Sequence, residues 1–93
     1  MRAVIEYAYH QRGSTGHWGR GKPEFRNALP VELSTPLGAR VAERNQKTLW
    51  IEVHIEIEPG SDPADVVDSH QHEADAAFQT HYPGHTILIG TDL

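Results

Sequence analysis

The chain contains no cysteine, which excludes a disulfide scaffold, thiolate zinc sites and a cysteine nucleophile. Stability must come from packing or from a partner. No apolar run approaches the ~18 residues that a membrane-crossing helix needs, and Met1-Arg2-Ala3-Val4-Ile5-Glu6 carries a carboxylate where a secretory leader requires an unbroken apolar stretch. These two gaps lead us to expect a cytoplasmic protein without membrane contact. Leu, Ile, Val and Phe supply only 20 of the 93 residues, just above the ~20% level below which highly charged chains stay disordered. With a net charge of −5, one folded domain spanning 1–93 is expected, and a multidomain enzyme is excluded by length.

Cations are missing from an entire half. Arg2, Arg12, Arg20, Lys22, Arg26, Arg40, Arg44 and Lys47 face four carboxylates within 1–47, whereas 48–93 holds nine carboxylates and no Lys or Arg. Such segregation produces a dipolar surface only if the acidic elements share a face; a fold that mixes the halves cancels it.

What is present reads as an α+β domain. In 3–10, Ala3, Ile5, Tyr7 and Tyr9 alternate with Val4, Glu6, Ala8 and His10, the period of a strand. Residues 11–27 contain Gly13, Gly16, Gly19, Gly21 and Pro23, which predicts a long, basic, glycine-rich loop. Residues 28–33 suggest a short strand. Residues 36–47 fit either a helix begun at Thr35-Pro36 or a strand turning at Asn45-Gln46. The clearest strand is 48–58, with Leu49, Ile51, Val53, Ile55 and Ile57 on one face and Trp50, Glu52, His54, Glu56 and Glu58 on the other. Pro59-Gly60 ends it. Asp62 and Pro63 then open a helix to about His81, with Val66, Val67, His70, Ala74, Ala77, Phe78 and His81 inward and Asp65, Asp68, His72, Asp75 and Gln79 outward. Pro83-Gly84 stops the helix, and 86–89 forms a last short strand. The economical assembly is a three- or four-stranded, largely antiparallel sheet with one main helix on one face; a split βαβ sandwich follows if 36–46 is helical.

Three candidate chemistries follow. First, the acidic strand face (Trp50, Glu52, His54, Glu56, Glu58) and the helix carboxylates Asp65, Asp68 and Asp75 form an expected partner-binding surface, with the aromatic as anchor and the charges as rim. It suits a larger protein with a basic, nucleic-acid-handling surface, in the manner of immunity proteins or phage-encoded and mobile-element inhibitors. Second, Arg12, His17, Trp18, Arg20, Lys22, Phe25 and Arg26 offer an alternative surface for nucleic acid or an acidic protein. Within it, 16–22 matches Gly-x-x-x-x-Gly-Lys, but Pro23 stands where a magnesium-binding hydroxyl belongs. Third is a histidine-liganded metal protein or small enzyme. His70 and His72, two apart on a helix, point different ways, which leaves His70 with Glu73 or His81 with His85. Neither spacing is a known zinc pattern, and no nucleophile accompanies Glu52, His54 and Glu56. The expectation is therefore a non-enzymatic interaction protein with no metal and no cofactor.

Overall fold

The computed structural model describes residues 1–13, 16–45 and 47–88. Its elements are β1 (Arg2–Gln11), β2 (His17–Arg20), β3 (Glu24–Asn27), a 3-10 turn (Pro30–Ser34), β4 (Gly38–Arg44), β5 (Thr48–Glu56), α1 (Pro63–His81) and β6 (Thr86–Leu88). The class is α+β with one helix, as expected. The sheet, however, has six strands in the order β4-β5-β1-β2-β6, with β3 also on β1, and β2 pairs β6 in parallel. It is larger than three or four strands and mixed.

The extra strands come from the segment read as a loop. β1 is ten residues long, and the edge opposite β5 offers more ladder groups than one short strand can take. β2 pairs its end (Tyr9 with Arg20, Gln11 with Trp18) and β3 its beginning (Ala3 with Asn27, Glu6 with Glu24). Four residues are too few to display alternation, so neither strand is visible as periodicity. Glycine serves the joints. Gly13 and Gly16 adopt φ of 70° and 77° in the β1–β2 connection, conformations that L side chains resist.

The remaining ambiguities resolve on backbone grounds. Within 36–47 the strand alternative holds, since β4 (Gly38–Arg44) pairs β5 antiparallel with a bulge between Val41 and Glu43. Asn45 Oδ1 accepts from the N–H groups of Lys47 and Thr48 at 2.8 and 2.7 Å, an Asx turn that leads into β5; Gln46, the other residue of the expected turn, lies outside the described residues. Residues 28–33 are not a strand. Pro30 has no N–H to give a ladder, and the Glu32 carboxylate accepts the Leu29 N–H at 2.8 Å, closing a 3-10 turn instead. Ile89, expected to finish the last strand, also lies outside the described residues.

α1 begins and ends as the sequence indicates: Asp62 accepts the Ala64 N–H at 3.0 Å, and Tyr82 N–H reaches Phe78 O. The helix lies against β1, β4 and β5, and links β5 to β6, which run in the same direction on either side of β1 and β2. Ala3, Ile5, Tyr7, Tyr9, Trp18, Leu49, Ile51, Val53, Ile55, Ala74 and Phe78 form the buried core between helix and sheet. Each large member contributes about 1.5–3 kcal/mol by leaving water. Among the described residues no helix is long and apolar enough to cross a membrane.

Among the described residues no α-helix covers the opposite face of the sheet. Residues 28–37 are tied to its end at Arg2 and Arg26, with Glu32 close to His54, which like Val4 is buried. Arg2 holds this strap by donating to the carbonyls of Glu32, Leu33 and Thr35, and Arg26 by a two-pronged bond to the Glu32 carboxylate at 2.7 and 2.6 Å. The outer side of the strap shows Leu29, Val31, Leu33 and Leu37 to solvent.

Candidate functional site

The residues expected to form one acidic surface are dispersed by the register. Glu52 is mostly buried: its Oε1 accepts His54 Nε2–H at 3.0 Å and stands 3.7 Å from Arg40 Nε, while its Oε2 is 3.6 Å from Arg26. His54, expected outward, is 1% exposed, and among the described residues its Nδ1 has no partner. Glu56 is exposed between the N-terminal ammonium, 3.4 Å away, and Arg2, whose Nε is 3.9 Å away. Trp50 is half-buried on the open face next to Ala8.

Asp75 is the largest departure. Expected in solvent, it points at the sheet, where Arg20 grips both its oxygens and Tyr9 O–H donates to Oδ1 at 2.8 Å. Tyr7 O–H donates to Val67 O at 2.6 Å on the same helix. Together these bonds bolt α1 to the sheet. Burial, reinforced for Tyr9 by the bond to Asp75, pushes both phenols well above their ordinary value.

The alternative basic surface is likewise divided. Trp18 is 2% exposed: its indole stacks on Tyr82 at 4.9 Å, meets Phe78 edge-on, and donates Nε1–H to His85 Nδ1 at 3.1 Å. Arg20 is spent on Asp75, and Phe25 packs on the core. Arg26 is committed to Glu32, whose carboxyl that bond and the Leu29 N–H hold down at about 2. Arg12, His17 and Lys22 are exposed. The glycine-lysine match is no phosphate cradle, because 17–20 is extended strand. Strand alternation sends Trp18 inward and His17 outward.

The histidine pairs also find other uses. His70 Nδ1–H donates to Glu73 at 3.1 Å, while His85 takes the Trp18 indole and His81 lies edge-on to Tyr82. Among the described residues no three His, Asp or Glu side chains converge closely enough to hold a metal ion.

One acidic feature survives these pairings in all but Glu56. Where β5 ends and turns through Gly60 (φ 87°) into α1, a cleft of about 390 Å³ opens between the strand end and the first two helical turns. Glu56, Glu58, Asp62 and Asp65 stand around it, Ile57 and Val66 add an apolar part, and Ser61, Ser69 and His70 complete the lining. None of its lining residues is Lys or Arg. Asp68, also exposed, lies one turn from Asp65 on the helix. Sequence reasoning selected Glu56, Glu58, Asp65 and Asp68; Asp62 was read only as a cap. The chain matches no known family model, no curated protein and no solved structure.

Proposed function

We propose that this is a non-enzymatic interaction protein that docks the acidic cleft at the β5–α1 junction on a basic segment of a larger protein. The observation carrying this reading is the company of Glu56, Glu58, Asp62 and Asp65 around one concavity without a lining cation. Elsewhere Arg20, Arg26 and Arg40 neutralise carboxylates of the second half; at the cleft Glu56 meets Arg2 and the N-terminal ammonium, whereas among the described residues Glu58, Asp62 and Asp65 make no ion pair. A local negative potential of this kind steers and orients a cationic partner more than it adds raw affinity. Proteins that handle nucleic acid present Lys/Arg grooves to phosphates, and a row of carboxylates competes for the same groove. A stoichiometric inhibitor or immunity-type protein fits this chemistry.

The test is charge reversal at Glu58, Asp65 and Asp68, all exposed and outside the ion pairs described above. The Lys triple variant should lose a partner that the wild-type protein retains from host lysate, with an unchanged circular dichroism spectrum. Retention should weaken as salt shortens the Debye length from ~10 Å at 0.1 M toward ~3 Å at 1 M. Equal retention by the variant contradicts the reading.

A further inference from the structure

The open face of the sheet holds a second, smaller cleft, independent of the acidic one. Its register is unusual. Glu6 on β1 stands directly opposite Glu24 on β3 and directly opposite Glu52 on β5, so three carboxylates lie abreast on neighbouring strands. Like charges in directly opposed positions destabilise a sheet. Glu52 is relieved by Arg26, Arg40 and His54; Glu6 feels Arg26 only at longer range, and among the described residues neither Glu6 nor Glu24 makes an ion pair.

Trp50 lies one row along the same face. Its cross-strand neighbour on β1 is Ala8, too small to fill the space on that side of the indole, and the next segment crosses as Gly21, whose N–H bonds Ala8 O at 2.7 Å. A side chain at position 21 would come within 3.0 Å of the His10 ring; glycine permits the close crossing that brings Lys22 to the rim. The result is a cleft of about 110 Å³ lined by Glu6, Ala8, Lys22, Glu24 and Trp50. Liquid water occupies about 30 Å³ per molecule, so the space suits the planar head of one side chain and little more.

We infer that this cleft is a binding site for a single guanidinium group, the side chain of an arginine on a protein partner. Trp50 supplies an aromatic wall beside which a planar cation can stack, and Glu6 and Glu24 supply the carboxylates that its forked donors satisfy. A metal ion does not suit it, since no three His, Asp or Glu side chains among the described residues meet at ligand distance. Lys22 is the one cation among the lining residues. An arriving arginine relieves the opposed carboxylates and has Lys22 as its competitor.

That competition separates a binding pocket from a structural charge cluster. The probe is a blocked glycine-arginine-glycine tripeptide titrated at low salt, followed by the amide and indole signals of isotope-labelled protein. The Trp50 indole and the amides of Glu6, Ala8 and Glu24 should shift together, while the Trp18 indole, bonded to His85, stays still. Lys22→Ala should strengthen binding about two- to threefold, and Glu24→Gln and Trp50→Leu should each weaken it about two- to fivefold. A glycine-lysine-glycine tripeptide should bind more weakly, lacking the planar fork. Weaker or unchanged binding in Lys22→Ala, or equal binding of the two peptides, overturns the inference. So does the absence of any shift at Trp50; Glu24 is exposed, so its Gln variant gives a reading even if Trp50→Leu unfolds.

Discussion

The two faces of the sheet use the same polar groups to opposite ends. Beneath α1, Arg20 and Tyr9 are buried beside Phe78 and Trp18 and share Asp75 as their acceptor at the rim of this apolar layer. On the open face the cations differ: Arg26 and Arg40 reach solvent while their partners Glu32 and Glu52 are mostly buried, beside a strap whose apolar side chains point outward. Breaking a pair in a dry layer strands a charge; breaking one at the surface hands it back to water. The pairs beneath α1 should therefore determine whether the protein folds, and the solvent-facing groups of the open face and of the β5–α1 cleft how it meets other molecules.

The comparison can be broken most severely at Phe78. It is fully buried against Tyr9, Trp18 and Tyr82, and Phe78→Ala should cost about 3–5 kcal/mol by urea denaturation. Asp75→Ala should come next, at about 3 kcal/mol, because Arg20 and the Tyr9 hydroxyl lose their shared acceptor; Asp75 is itself a quarter exposed, which keeps the loss near the low end of such cases. Replacing Arg20 with Met alongside Asp75→Ala should recover part of that cost. A double variant no better than Asp75→Ala alone would show that the pair is not a unit.

Smaller effects distinguish the faces by pH. The Tyr9 phenol is raised by burial and by its bond to Asp75, so its contribution is complete below pH 10 and is lost as pH climbs above it. Glu32 is held at about 2, below its ordinary 4.5, so its contribution is complete above about pH 5 and fades as pH falls toward 2. Tyr9→Phe should flatten the alkaline limb of a stability profile and leave the acid limb. Glu32→Gln should flatten the acid limb at a cost of about 1 kcal/mol at neutral pH, discounted for contact with solvent.

The same contrast explains what could be read from the sequence. β1, β5 and α1 are legible because each repeats its period over nine or more residues, and the caps at Asp62-Pro63 and the stop at Pro59-Gly60 are local chemistry. β2 and β3 are not legible, being four residues each and recruited by the unused edge of β1. The charge segregation misled for a related reason. Arg20 with Asp75 and Arg26 with Glu52 are contacts across 55 and 26 positions, set by register and invisible to composition. Asp75 has the outward spacing of Asp68 on the helix, yet faces an arginine delivered by a strand that alternation does not reveal. The acidic cleft was partly legible, since Glu58, Asp65 and Asp68 lie near the turn and have no cation close in sequence.

The most direct test of the docking account places a photo-crosslinking residue at one of two exposed helix positions, Ser69 beside the acidic cleft or Gln79 near the far end of α1. Crosslinking in host lysate, followed by mass spectrometry of the joined peptides, should yield one partner from position 69, joined through a Lys- or Arg-rich segment, and little from position 79. Equal yields from both positions, or a joined segment without Lys or Arg, would contradict docking through the cleft.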